Sequence, residues 1–208
     1  KWWQSAQLTK YAWLPSRGHP FYQVLKFGFV QNLPQFTENW AHRFDPLVLR
    51  CAEGLAEKFD EYLDGLFDRP LTLVHSDFRL DNLMFGEPGS ADACVVLDWQ
   101  ICSASIGSLD LQYFISGNLR KDVIAKHTDE LLDTYYEALR GAGVTDYSMH
   151  ELRDDYARTS LILALYIVTN SSAIDPKNYD QRGNDLIELI YASLGESMVR
   201  YEAERFLP

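Results

Sequence analysis

Residues His75 to Asn82 read His-Ser-Asp-Phe-Arg-Leu-Asp-Asn, and Leu97-Asp98-Trp99-Gln100 follows at the end of an apolar run. An acid at Asp77, a cation at Arg79, an amide at Asn82 and a second acid at Asp98 are the parts that phosphoryl transfer requires. That reaction asks the protein for little covalent chemistry. It needs a carboxylate to orient an attacking hydroxyl and accept its proton, and oxygen ligands for the Mg²⁺ that bridges phosphate oxygens. Asp77 is the candidate base. Arg79, projecting the same way from an extended loop, is placed to neutralise the transferred group. Asn82 and Asp98 offer an amide oxygen and a carboxylate, hard ligands suited to Mg²⁺.

The elements around these residues have to bring them together. Leu71-Thr72-Leu73-Val74 reads as a short strand leading into His75. Leu83-Met84-Phe85 and Ala93-Cys94-Val95-Val96-Leu97 flank the turn Gly86-Glu87-Pro88-Gly89-Ser90, which is a hairpin signal. Asn82 precedes the hairpin and Asp98 follows it, so antiparallel pairing predicts that the two meet in space. Elsewhere the pattern is helical. Residues 1–14 read as the end of an amphipathic helix, closed by Pro15-Ser16-Arg17-Gly18, and Phe21 to Leu33 is apolar without a clear period. Pro46 to Leu66 carries Leu47, Leu49, Leu55, Phe59, Tyr62, Leu63 and Leu66 near helical spacing. Beyond Ser108 the expected helices are Leu109 to Leu119, Asp122 to Arg140, Met149 to Ser171 and Asn184 to Phe206. The run from Leu161 to Val168 is a buried helix segment, too short to span a bilayer. The fold class is therefore α+β, a mostly α-helical unit with a small β-hairpin carrying the polar site.

Composition narrows the partners. The 208 residues are 47% apolar and 24% charged, ordinary for a globular domain. With 19 basic against 30 acidic residues the formal net charge is −11, which argues against a nucleic-acid binder. A solvated acidic surface accounts for the excess, although Asp154, Asp155 and Asp175 are candidates to meet a cationic acceptor. Three cysteines without metal-ligand spacing, and no signal segment, point to a reduced, cytoplasmic setting and no membrane. The opening Lys1-Trp2-Trp3 reads as the inside of an element, hence as a piece of a longer protein.

The run His75-Ser76-Asp77-Phe78-Arg79-Leu80-Asp81-Asn82 with Asp98-Trp99-Gln100 resembles the aminoglycoside phosphotransferase and choline kinase-like superfamily, relatives of the protein kinases. Within it the chain most resembles the ecdysteroid kinase-like small-molecule phosphotransferases. The resemblance is specific over roughly residues 70 to 115 and looser over the rest. It implies the C-terminal lobe of a protein-kinase-like fold, with helical residues 1–69, the catalytic loop and hairpin in 70–107, and an acceptor-binding helical side in 108–208. It also implies Asp77 as catalytic base, Asn82 and Asp98 as metal ligands, and His75 as a buttress of the loop. Asp110, in Gly107-Ser108-Leu109-Asp110, would brace that loop from the start of a helix, and Met84 would lie under the nucleotide's adenine. Mg²⁺ and ATP, or another nucleoside triphosphate, follow as cofactor and co-substrate, with a small-molecule hydroxyl as acceptor. Position 76 is serine where the family usually has glycine. The 208 residues hold no glycine-rich loop, strand lysine or partnering helix glutamate, so the N-terminal nucleotide lobe is missing and this chain alone is not expected to turn over ATP.

Two other readings compete. A kinase-like scaffold or binding module could keep the lobe without the chemistry, although nothing but chemistry requires the acid, the amide and the second acid together. A metal-dependent phosphohydrolase using His75, Asp77 and Asp98 would ordinarily hold two metals with several histidine and carboxylate ligands. Only His75 lies near the motif. A hydrogen-bonded core histidine is the simpler expectation for it.

Overall fold

The computed structural model describes residues 2–90, 92–171 and 180–208. In chain order the helices and strands are α1 (Phe21–Trp40), α2 (Pro46–Glu57), α3 (Phe59–Phe67), β1 (Leu71–Val74), β2 (Leu83–Phe85), β3 (Cys94–Val96), β4 (Ser103–Ile106), α4 (Ser108–Asn118), α5 (Lys121–Gly141), α6 (Met149–Asn170) and α7 (Gln181–Arg200). The strands make two separate antiparallel pairs. In one, β1 meets β4 from Leu71 opposite Ile106 to Val74 opposite Ser103. In the other, β2 meets β3 from Leu83 opposite Val96 to Phe85 opposite Cys94. The chain is α+β and mostly helical, as its patterning implies.

Helix α6 is the hub. It begins in a capping box, the Ser148 side chain accepting from Glu151 N while the Glu151 side chain accepts from Ser148 N. Its later turns are apolar on nearly every side, and Leu161, Ile162, Leu163, Ala164, Leu165 and Val168 are all buried against α1, α2, α4 and α7. Each fully buried aliphatic side chain of this kind contributes about 1.5–3 kcal/mol relative to exposure. No helix among the described residues is long and apolar enough to cross a membrane.

Several elements depart from the sequence expectation. Residues 2–14 form no amphipathic helix, only a 3-10 turn at Ala6–Thr9. The ambiguous stretch after Pro20 becomes α1 and runs through Pro34, because Phe29, Phe36 and Trp40 bury completely or nearly so against the core and outweigh the lost backbone bond. The expected single helix from Pro46 splits at Lys58, which leaves helical geometry at φ −123° and ψ 35°. The break lets Phe59, Tyr62 and Leu66 turn inward, and no glycine or proline announces it. Strand β4, Ser-Ala-Ser-Ile, has neither alternation nor β-branched enrichment, and it is buried throughout. The last expected helix begins earlier and stops at Arg200, with a 3-10 turn at Ala203–Phe206.

Candidate functional site

The loop between β1 and β2 is held from below by α4. Asp110 lies in the first turn of α4, where a negative charge suits the helix dipole. Its Oδ2 accepts from His75 N at 2.8 Å and its Oδ1 from Ser76 N at 2.9 Å. Burial pushes the Asp110 carboxyl above its ordinary range, and these two backbone donors pull against that rise. The approach is tight. A Cβ on Gly107 would stand 2.6 Å from the Tyr135 hydroxyl and 3.3 Å from Thr72 Cγ2, so a residue without a side chain opens the helix.

Ser76 sits at φ 69°, in the left-handed region that favours glycine. Its Oγ is 2.9 Å from the Ser103 Oγ of β4, a bond that offsets part of the strain. The chain turns there, between buried His75 and partly buried Asp77.

His75 is almost fully buried and links the two halves of the site. Its Nδ1 accepts from Asp77 N at 3.2 Å, so the ring proton is on Nε2, which donates to Leu97 O at 2.7 Å. Leu97 N in turn donates to Asn82 O at 2.8 Å. The backbone next to Asp98 is thus tied on one side to the residue before the hairpin and on the other to the imidazole beneath Asp77. Trp99 packs edge-on against His75 with ring centroids 4.9 Å apart. Both nitrogens of His75 are used in these bonds.

Asp77 and Asn82 touch directly. Asn82 Nδ2 donates to Asp77 Oδ2 at 3.0 Å and to Asp77 O at 2.9 Å, so the amide orientation is set by two acceptors. Arg79 Nε lies 3.4 Å from the same Oδ2, and its Nη1 lies 3.3 Å from Asp81 Oδ2. The guanidinium therefore spans the two acids and stays half-exposed. Asp81 is exposed and serves as the far anchor of that bridge.

A divalent cation would need oxygen ligands. With Nδ2 of Asn82 committed to Asp77, Oδ1 faces the other way and has no hydrogen-bond donor among the described residues. Asp98 is exposed in left-handed geometry at φ 60°, with a 3.4 Å contact from the Gln100 amide. Leu83 pairs with Val96 and Leu97 N donates to Asn82 O, so Asp98 follows directly on the residue opposite Asn82 at the open end of the hairpin. The donor set fits Mg²⁺, which takes one or two protein oxygens and completes its shell with phosphate and water. No group of three or more histidine, cysteine, aspartate or glutamate side chains forms a metal cluster among the described residues.

The hairpin beyond them is apolar and open to solvent. Met84 is 60% exposed and pairs with Val95, and Phe85, Leu97, Trp99 and Ile101 are exposed as well. Gly86 permits its tight turn, since a Cβ there would meet the Asp92 carbonyl oxygen at 2.5 Å.

On the helical side a cavity of about 500 Å³ opens beside Arg79, Asp81 and Tyr113. Most of its wall is apolar, from Leu163 and Ile167 of α6 and Ile187, Ile190 and Leu194 of α7. Its volume is that of a drug-sized ligand site. Another hollow of about 660 Å³ lies behind the loop, between Trp2, Trp3, Phe78, Phe114 and Tyr135. Its wall includes Asp110 but not Arg79 or Asp81.

Two of the acids considered for a cationic acceptor are engaged elsewhere. Asp155 is buried and paired with Arg69 at 2.7 Å and the Tyr147 hydroxyl at 2.9 Å, and Asp154 is paired with Arg205 at 2.6 Å. Asp175 lies outside the described residues. Sequence reasoning passed over Tyr113 and Asn118. Burial above all, and then the neighbouring Asp77 carboxylate, push the Tyr113 phenol well above its usual value. Asn118 Oδ1 accepts from Leu80 N at 3.0 Å and pins the far end of the loop to α4. Tyr113 stands three residues after Asp110 on a helix, a spacing that puts both on one face and was the available signal.

The profile of the ecdysteroid kinase-like family matches residues 16–143, more than half of the chain. The chain belongs to the ecdysteroid kinase-like family. This family is one of kinase-like small-molecule phosphotransferases, and the match contains Asp77, Arg79, Asn82, Met84, Asp98 and Asp110. Searches of curated proteins and of solved structures found no match to the chain.

Proposed function

We propose that this chain is the catalytic lobe of an ATP-dependent phosphotransferase that moves the γ-phosphoryl group onto a hydroxyl of a small molecule. The observation that supports the reading is the Asn82 amide, which spends its donors on Asp77, while its backbone carbonyl accepts from Leu97 N, the residue before Asp98. One residue thus couples a base to a metal-binding corner.

Asp77 orients the acceptor hydroxyl and receives its proton at Oδ1, the carboxylate oxygen that neither Asn82 nor Arg79 addresses. The acceptor oxygen bonds to phosphorus as the nucleoside diphosphate departs. Arg79 sits beside that carboxylate and offers positive charge to the transferred group. Mg²⁺, held by Asn82 Oδ1 and Asp98, would neutralise phosphate oxygens and align the triphosphate. Met84 presents an apolar face for the adenine, and the cavity beside Arg79 and Asp81 takes the acceptor. Residues 1–208 act as one lobe. The glycine-rich loop and strand lysine that grip the nucleotide would come from a separate N-terminal lobe.

The test is calorimetric titration of ATP into the intact protein with and without Mg²⁺. Wild type binds in a Mg²⁺-dependent manner, and Asp98→Asn weakens that binding at least tenfold. Binding that ignores both Mg²⁺ and the substitution would remove the metal corner from the account.

A further inference from the structure

Helix α4 grips the loop between β1 and β2 at both ends. Near its start, Asp110 accepts from His75 N at 2.8 Å and from Ser76 N at 2.9 Å. At its last residue, Asn118 Oδ1 accepts from Leu80 N at 3.0 Å, and Asn118 Nδ2 donates to Phe114 O at 2.8 Å within the helix. At a rise of about 1.5 Å per residue, the two grips stand about 12 Å apart along α4. The segment slung between them is Asp77-Phe78-Arg79.

Leu80 N belongs to the peptide unit that joins Arg79 to Leu80. The carbonyl of that unit, Arg79 O, accepts from Asn82 N at 3.0 Å. Asn118 and Asn82 therefore hold one peptide plane from its two sides, and that plane sets the ψ of Arg79 at 162°. The 3-10 turn Leu80–Asn82 has no capping side chain of its own, so Asn118 supplies the acceptor its first N–H needs. Asn82 depends on this bond less, because Asp77 holds its amide and Leu97 N its carbonyl. The Arg79 side chain is half-exposed, with Asp77 and Asp81 oxygens 3.4 and 3.3 Å away, and its aim follows the backbone beneath it. Arg79, Leu80, Asp81 and Asn118 share the wall of the 500 Å³ cavity.

We propose that Asn118 is a positioning residue for phosphoryl transfer: its side-chain oxygen fixes the Arg79–Leu80 peptide and so aims the Arg79 guanidinium between Asp77 and the cavity. This rests on the reading of Arg79 as the group that brings positive charge to the transferred phosphoryl. Leu80 is 45% exposed, so water replaces the acceptor when Asn118 loses it. The loop then keeps its hydrogen bonds and loses its fixed direction.

The experiment measures hydrolysis of Mg·ATP by the intact protein, with water standing in for the acceptor hydroxyl. It compares wild type, Asn118→Ala, Arg79→Ala, the double variant and Asp77→Asn. Asn118→Ala lowers kcat about fivefold, the worth of one neutral hydrogen bond, and leaves the KM for Mg·ATP and the urea midpoint unchanged. In the Arg79→Ala background the same substitution has no further effect, since no guanidinium is left to aim. Asn118→Leu, which keeps the size of the side chain without its acceptor, repeats the pattern. Equal falls in both backgrounds, or a KM that rises as kcat falls, overturn the role, because a general loosening of the loop gives those results. A wild-type kcat in Asn118→Ala beside a slow Arg79→Ala also overturns it, and leaves the reading of Arg79 standing. Arg79→Ala at the wild-type rate removes both. Hydrolysis by Asp77→Asn at the wild-type rate removes the phosphotransferase reading itself.

Discussion

Replacing Asp110 by alanine tests how the loop is built. Two buried backbone donors, His75 N at 2.8 Å and Ser76 N at 2.9 Å, lose their acceptor together. His75 and Ser76 are 1% and 2% exposed, so water does not reach in to replace it. Each unsatisfied buried donor costs about 1–3 kcal/mol, which gives about 2–6 kcal/mol in sum. Removing a buried charge returns part of that, so the expected net loss is about 3 kcal/mol. Urea unfolding of this chain at pH 7 reads it as a midpoint lower by about 1.5 M for a slope near 2 kcal/mol per molar. Asp110→Asn keeps one acceptor and falls between the two. The pH dependence has a definite sign. A carboxyl raised in the folded state binds its proton more tightly folded than unfolded, so its contribution grows as pH falls from above the raised value toward the ordinary aspartate value of 3.8. The gap between wild type and Asp110→Ala therefore widens as the pH is lowered through that window. A loss below about 1 kcal/mol, or a gap that narrows on acidification, would refute the argument.

Ser76 pays for its φ of 69° with backbone strain of about 1 kcal/mol and recovers a similar amount through Ser103, so Ser76→Gly should change stability by less than about 1 kcal/mol in urea unfolding. Ser76→Val brings a β-branched side chain to the same backbone and should cost about 2–3 kcal/mol. Glu151 is held below its usual value, first by the backbone N–H of Ser148 and then by its hydroxyl, so its charge stabilises α6 above the ordinary glutamate range and ceases to do so as pH falls through the lowered value. Glu151→Gln, which preserves the capping geometry on an exposed helix end, should lose about a few tenths of a kcal/mol at pH 7, and thermal melts of the two proteins should converge as the pH falls through the lowered value.

Much of the site was legible because its residues lie close in sequence and the hairpin between them has a plain turn signal. Gly86 to Ser90 between two apolar triplets fixed the pairing of β2 with β3, and pairing alone brings Asn82 beside Leu97 and so beside Asp98. The buried run of α6 was legible for the same reason, since Leu161 to Val168 has no polar face to present. What escaped depends on tertiary contact. Strand β4 is recognisable only from its pairing with β1, because Ser103 and Ser105 are buried hydroxyls that sequence patterning assigns to the surface. The break at Lys58 has no local cause, and the inward turn of Phe59 against the core decides it. Tyr113 escaped because nothing in the sequence reports that it walls the cavity beside Arg79 and Asp81. Residues 2–14 carry aromatics at suggestive intervals, yet Leu8 and Leu14 alone are buried there while Tyr11 and Trp13 remain exposed.

The most direct measurement is transfer of labelled γ-phosphate from Mg·ATP to a hydroxyl acceptor by the intact protein, comparing wild type with Asp77→Asn against an ecdysteroid, choline and an aminoglycoside. The account predicts a labelled product with wild type and a rate lower by about 10²–10⁴ in the variant, with folding and Mg·ATP affinity preserved. Equal rates in the two proteins, or label transfer that proceeds without Mg²⁺, would contradict it.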